Sequence, residues 1–343
     1  MKFLNIGILA GMLVLTACDK TLEEKQVTLD VISTNVKGQT SSSFTENDTI
    51  VYKFSGLHEV ITYYSGEPGK RYEFKDRTSA KGTPKLKFNS QRANGAQANA
   101  LKLLISSDFQ GVVAKSKTSK GVVTQDTAGT MANILKANWK DITDRAAWPT
   151  NTAVLNSGDI DLSDFADQGK PVFIAFKYKV AAGTAQDKWT ISTLSLNNYL
   201  PDNSVYTQAN FAAANQNITN YGVNIPGLGW LSTFDPDNNV KKYRWVYTAA
   251  IGTGGSLVIT GAANAPAATD AAEAWAIMGP IDLRKVSPDA GSPIKDINKI
   301  LESYSVLPTY KEGEYTATFV ASNTTVKGTS VAVKQLPVKI TKP

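Results

Sequence analysis

Apolar and polar positions alternate with a period of two through most of the chain. Leu101, Leu103 and Ile105 share one face of their segment, and Tyr315, Ala317 and Phe319 alternate with Thr316 and Thr318. Successive side chains of a strand point to opposite faces, so these runs predict half-buried strands. Residues 171–178, Pro-Val-Phe-Ile-Ala-Phe-Lys-Tyr, are apolar on both faces at their start, as in the centre of a sandwich. Helical spacing is rare. Its best instance is residues 294–304, where Ile294, Ile297, Ile300 and Leu301 predict one helix. Gly, Asn, Pro and Ser turns separate the strands, and the pattern as a whole predicts an all-β sandwich protein.

Three zones follow. Residues 27–83 open with strands, residues 84–285 form a larger β unit, and residues 286–343 close the chain. The closing zone carries Tyr304, Tyr310, a turn ending in Gly313, and then Tyr315-Thr-Ala317-Thr-Phe319. That pattern resembles the final strands of immunoglobulin-like PKD modules. The opening zone lacks those final strands, so the two ends are expected to complete one small sandwich with residues 84–285 inserted into it. Domain termini commonly lie close together, which makes such an insertion easy.

Composition removes several chemistries. The 343 residues are 42% hydrophobic and 19% charged, enough apolar material for a core and too few charges for a disordered or coiled-coil chain. The length suits two modules. One cysteine and one histidine exclude disulfide frameworks, Cys/His zinc sites, Cys-His nucleophile pairs and HExxH metalloproteases. The net charge of +6 is spread along the chain. Its densest basic loop, with Lys115, Lys117 and Lys120, contains no aromatic residue. It reads as a solvated hairpin tip, and nucleic acid is not an expected partner.

The N-terminus supplies an address. Met1 and Lys2 precede an apolar run over residues 3–15, followed by Leu15-Thr-Ala-Cys18. The run is shorter than the roughly twenty residues that span a bilayer but suits a secretory signal. The small residues before Cys18 resemble a bacterial lipobox. In such proteins the cysteine is acylated and becomes the first mature residue, so residues 1–17 would be the signal and residues 18–26 an acylated tether. Two or more acyl chains give stable membrane anchoring. The tether, Asp19-Lys-Thr-Leu-Glu23-Glu24, is similar to the acidic export signal of Bacteroidota lipoproteins displayed on the outer face of the outer membrane.

The central zone carries a broader resemblance. Leu103-Leu-Ile-Ser-Ser-Asp108-Phe109-Gln-Gly111, Trp139-Lys-Asp141-Ile-Thr143, Ser157-Gly-Asp159-Ile-Asp161-Leu-Ser163, Val172 to Tyr178 and Trp189-Thr-Ile191 occur in the order found in galactose-binding-like jelly rolls of the choice-of-anchor type. With Tyr63-Tyr64-Ser-Gly-Glu67-Pro-Gly69, the mature chain resembles a Bacteroidota lipoprotein family of unknown function found beside SusC/SusD-like outer-membrane importers. The resemblance implies an Ig/PKD-like sandwich with an inserted jelly roll, and an importer as partner.

Candidate chemistry is sparse. Jelly-roll glycosidases typically need two facing glutamates, and no glutamate lies between Glu73 and Glu273. Asp159 and Asp161 sit in a structural strand start. His58 lies in a turn without a nucleophile elbow, so no enzyme is expected. Asp235, Asp237 and Asn239 place oxygens at alternate positions and could hold a structural Ca²⁺, although a polar turn accounts for the same residues. No other cofactor is expected. Between residues 197 and 241 regular alternation disappears, and Tyr199, Tyr206, Phe211, Tyr221 and Trp230 are interleaved with Asn, Asp and Gly. Flat rings among amides suit a carbohydrate, and long irregular segments in compact domains are usually functional. Trp230 is the first candidate platform, with Tyr221, Tyr199 and the loop residue Trp148 beside it; a plug covering one end of the sandwich is the competing role for Trp230. Trp139, Trp189 and Trp275 read as core. The expected function is a surface lipoprotein that captures nutrient, glycan before peptide, for a SusC/SusD-like importer. The alternative is a structural accessory subunit of such an importer, a peptide importer included.

Overall fold

The computed structural model describes residues 26–117, 123–211, 230–248, 255–307, 309–326 and 328–343. It divides into two compact units, Met1–Lys75 with Asp289–Pro343, and Asp76–Pro288. The division falls a few residues outside the zone read from sequence. Residues 78–80 pair with residues 284–286, through the Ser79 and Lys285 bridge and bonds from Ala80 N to Arg284 O and from Val286 N to Thr78 O.

The first unit is a sandwich to which both chain ends contribute. One sheet places Ile50–Ser55 between Asp30–Thr34 and Ser303–Val306. The other runs Ser292–Lys295, Val60–Tyr64, Gly313–Thr325, Gly328–Thr341 and Ser43–Thr45, with only the last pairing parallel. Alternation puts Ile50 and Tyr52, Ile61 and Tyr63, and Ala317, Phe319 and Ala321 into one core. Tyr52, Tyr63 and Phe319 meet there with ring centroids 4.8–5.6 Å apart, inside the range where aromatic pairs add stability beyond area burial. Gly66 has φ +86°, and a Cβ there would lie 2.8 Å from the Thr316 backbone, so only glycine lets this turn close.

The helix expected over residues 294–304 does not form. Ile294 is buried at the end of the strand Ser292–Lys295. Asp296 then accepts a bond from the Asn298 N–H, and Lys299 N bonds back to Asp296 O, closing a turn. Side-chain capture of a nearby N–H by aspartate competes with helix formation. Ile297 and Ile300, read as a buried stripe, project into solvent.

The second unit stacks two sheets. The larger has the order Leu155–Asn156, Thr83–Ala93, Lys188–Tyr199, Ser256–Thr260, Val246–Thr248, with Ile160–Asp161 and Val205–Asn210 pairing beside it. The smaller has the order Trp230–Phe234, Ala272–Ile281, Val172–Val180, Leu101–Ser106, Lys140–Asp141. Their facing residues form the main core, including Leu86, Phe88, Leu103, Ile105, Ile174, Phe176 and Met278. In Lys188–Tyr199 a bulge between Ser192 and Ser195, with Thr193 at φ +48°, shifts the phase so that Ile191 and Leu194 both face inward.

The smaller sheet is apolar on its outer face as well. Leu104, Phe173, Ala175 and Ile277 form a second cluster there, covered by Met131 and Ile134 from the helix Thr127–Lys136. That helix starts at Asp126, whose carboxylate accepts the Gly129 N–H at 3.1 Å. Such N-caps are worth about 1 kcal/mol.

Candidate functional site

The helix covers only part of the outer face, and the uncovered part forms a charged, aromatic cleft of about 490 Å³. Cross-strand register builds it. Lys177 stands opposite both Lys102 and Trp275, and Lys179 stands opposite Glu273. Trp139 follows the helix, donates its indole N–H to Ile134 O at 3.0 Å, and lies 5.5 Å from the Trp275 ring. Leu135, 72% exposed on the last helical turn, forms the apolar lip.

Glu273 organises the charges. It is 4% exposed and accepts Lys177 Nζ at 2.9 Å, Lys179 Nζ at 3.2 Å and Trp275 Nε1 at 3.2 Å. Lys177 Nζ also sits 4.8 Å from the Trp275 ring centroid, a cation–π contact. Lys102 Nζ bonds Asp141 Oδ2 at 2.8 Å. Burial pushes the Asp141 carboxyl up, but bonds from Lys102 and Thr143 outweigh it and hold the group below the ordinary carboxylate range. Three ammonium groups therefore face two carboxylates around a partly exposed indole. The arrangement can hydrogen-bond hydroxyls, pair with an added anion and pack an apolar ring face.

The residues singled out from sequence lie elsewhere. Trp230 faces the main core from the edge strand Trp230–Phe234, stacked on Phe176 at 6.0 Å and edge-on to Phe211 at 5.8 Å. Trp148 packs between Phe88 and Trp189, its N–H donated to Thr143 O at 2.7 Å. The two tryptophans belong to one aromatic ladder through Phe88 and Phe176. Tyr199 is 40% exposed, 5.5 Å below the Lys85 ammonium. Tyr221 and Cys18 lie outside the described residues. Tyr206, close in sequence to Tyr199, borders a different groove of about 430 Å³, where Arg77 bonds its hydroxyl at 2.8 Å.

Asp235, Asp237 and Asn239 form a turn. The Asp235 carboxylate accepts the Asp237 and Asn238 N–H groups. Asn239 is fully buried; its amide donates to Tyr243 O and Glu273 O and accepts from Tyr243 N. Its side-chain oxygen is committed to the backbone. Among the described residues no group of three His, Cys, Asp or Glu side chains is placed to hold a metal ion. Asp159 is bracketed by Lys85 at 3.2 Å and Lys87 at 3.5 Å, and Asp161 accepts the Ser163 N–H. Burial pushes the His58 imidazole below its usual value.

Trp275 is buried in the outer-face cluster, as its core reading expected, and Trp139 packs against that cluster while partly exposed; sequence reasoning passed over Lys177, Lys179 and Glu273. The available signal was charge inside strands that are otherwise apolar: Lys177 and Lys179 interrupt residues 172–180, and Glu273 ends a long stretch free of glutamate.

Two all-β sandwiches, one interrupting the other in sequence, with an open cleft on an outer sheet face define a β-sandwich protein with a surface site. The chain belongs to the family described as "Domain of unknown function (DUF5017)", which matches residues 17–216, more than half of its length. No curated protein matches. Among solved structures, the C-terminal domain of the Streptococcus pyogenes antigen I/II-family protein AspA aligns over 92% of this chain and 98% of its own at 12% identity. Its TM-score of 0.10 carries no structural argument.

Proposed function

We propose that this protein is a lipid-anchored binding protein of the outer cell surface that captures a carbohydrate for a SusC/SusD-like importer, using the cleft around Trp139. Catalysis is not part of this reading. The observation that carries it is the set of Lys102, Lys177, Lys179, Asp141 and Glu273 around the Trp139 and Trp275 pair, fixed on four adjacent strands. Sites on strands hold polar groups in place better than sites on loops. The excess of ammonium groups favours a sugar bearing carboxylate or sulfate. The lipobox at Cys18 supports the anchor, and the matched family region starts at residue 17, one residue before Cys18.

Calorimetry of the mature chain carrying Cys18→Ser against neutral and acidic polysaccharides tests this reading. Binding to an acidic polysaccharide should weaken about tenfold, roughly 1.4 kcal/mol, in Trp139→Ala, and should weaken overall but depend less steeply on salt in Lys179→Ala. Binding unchanged in both variants rejects the cleft. Palmitate incorporation that persists in Cys18→Ser rejects the anchor.

The accessory-subunit reading gains from one observation: Trp230 and Trp148 serve the core, so the aromatic segment over residues 197–241 offers no tryptophan platform among its described residues. Co-purification with the importer, without binding to any polysaccharide or peptide, decides for that reading.

A further inference from the structure

At one pole of the first unit, three loops converge on the start of the folded chain. Thr28 N donates to Leu57 O at 3.0 Å, and Leu57 N donates back to Thr28 Oγ1 at 2.9 Å. Gly56 makes this approach feasible: its φ is +113°, and a Cβ would fall 2.4 Å from Thr28 O. Val27 N donates to Ser330 Oγ at 3.2 Å, which brings in the hairpin joining Gly313–Thr325 to Gly328–Thr341. The loop over residues 296–302 is tied to the same place at both ends, by Lys295 Nζ to Glu59 O at 2.8 Å and by Phe54 N to Glu302 O at 3.0 Å.

The tips of these three loops are apolar. Leu57 is 70% exposed, Ile297 69%, Ile300 89% and Val326 87%. None of them packs in the core, which takes Ile294 and Leu301 from the same stretch instead. At the opposite pole Val36 and Leu307 are exposed among mixed charges, where Glu312 pairs with Lys342 and Glu314 with Lys339. Four large aliphatic side chains on adjoining tips are more than the scattered apolar surface a protein carries anyway.

We propose that this pole rests on the lipid surface, with Leu57, Ile297, Ile300 and Val326 inserted at the boundary between headgroups and acyl chains. The proposal rests on the reading of Cys18 as the acylated residue. Residues 18–26 reach at most about 30 Å even when fully extended, so acyl chains on Cys18 keep the Thr28 pole next to the bilayer. Apolar residues on projecting tips, rather than in a groove, suit insertion between lipids.

The test uses the full acylated chain in phosphatidylethanolamine–phosphatidylglycerol vesicles. Acylation consumes the one native thiol, so Ile300→Cys, Val326→Cys or Leu57→Cys each carries a single environment-sensitive fluorophore, with Lys70→Cys as the control at the opposite pole. The expected result is a blue shift, quenched by brominated lipid, at positions 300, 326 and 57 and no shift at 70. Water-like emission at all three tips from protein that floats with the vesicles overturns the docking and leaves the anchor standing. Protein that carries no acyl group and does not float overturns both. A shift at the tips that appears only when an importer protein shares the vesicle assigns the surface to a protein partner and overturns the proposal.

Discussion

Each unit buries one carboxylate against an arginine, Asp289 with Arg71 in the first and Asp187 with Arg92 in the second, but they differ in the neutral polar groups they enclose. The first encloses phenols: Tyr310 donates to Ser65 O at 2.6 Å and shares a 3.0 Å bond with Tyr63 in a core that also holds Tyr52. Burial pushes the Tyr310 hydroxyl up to about 12 and raises those of Tyr52 and Tyr63 as well. The second buries the phenol of Tyr178, which donates to Asp187 O at 2.8 Å, and surrounds its ion pair with amides. Asp187, fully buried, binds the Arg92 guanidinium and the Gln97 N–H, while Gln186 bridges Ala262, Asp270 and Ala181. A phenol is neutral and needs only one partner, whereas a buried carboxylate requires several donors at once.

Cavity variants separate the units most strongly. Phe319→Ala in the first and Phe176→Ala in the second should each cost about 3–5 kcal/mol. Hydrogen exchange resolved by peptide should show the loss confined to the unit that carries the change. Loss of protection in both units from either variant would show that they unfold as one.

Next comes the ion pair. Arg92→Ala leaves Asp187 buried with fewer donors and should cost about 3 kcal/mol, visible as a lower denaturation midpoint of the second unit. Arg92→Lys should recover only part of that, because lysine lacks the planar fork.

Alkaline pH should act on the first unit. Its phenols titrate higher folded than unfolded, so their stabilisation is complete below the unfolded value near 10 and is lost as pH rises through the folded value. For Tyr310 the window is therefore about 10 to 12, at on the order of 1 kcal/mol per pH unit. Tyr310→Phe should flatten the profile of the first unit; an unchanged profile would show that other groups set it.

The cap of the helix beside the cleft is worth less. Asp126→Ala should cost about 1 kcal/mol and accelerate exchange in Thr127–Lys136 ahead of the sheet beneath. Smallest is acid sensitivity in the second unit. The Ser106 hydroxyl lowers the Asp108 carboxyl and Arg145 lowers that of Asp164. Their contribution is complete above about pH 4 and fades as pH falls through the folded values. Being exposed, each should amount to less than about 1 kcal/mol, read as a small fall in melting temperature.

Period-two alternation made the sheets legible. The strands around Leu101 to Ile105, Val172 to Tyr178 and Tyr315 to Phe319 stand where it placed them. The misplaced helix shows its limit: Ile297 and Ile300 have helical spacing but no partner surface, and Asp296 diverts the backbone. The helix Thr127–Lys136 was harder to see because only Thr130, Met131 and Ile134 mark its buried face. The cleft was illegible for a related reason. A strand apolar on both faces shows that both are covered somewhere, but not where the cover ends, and Trp275 and Lys177 lie at that edge. Trp230 was ambiguous because aromatic residues between turns suit a ladder inside a core as well as a platform outside one.

The short stem at residues 78–80 and 284–286 is closed by its own backbone bonds. Likewise Asp289 N bonds Phe74 O and Ala290 N bonds Gly69 O, so the first unit seals its own gap. Each unit is thus finished where the other begins, and the inserted one behaves as a cassette. A lineage could exchange the cleft-bearing cassette for another without redesigning the unit that both chain ends build, and recombination at these two seams would be the route.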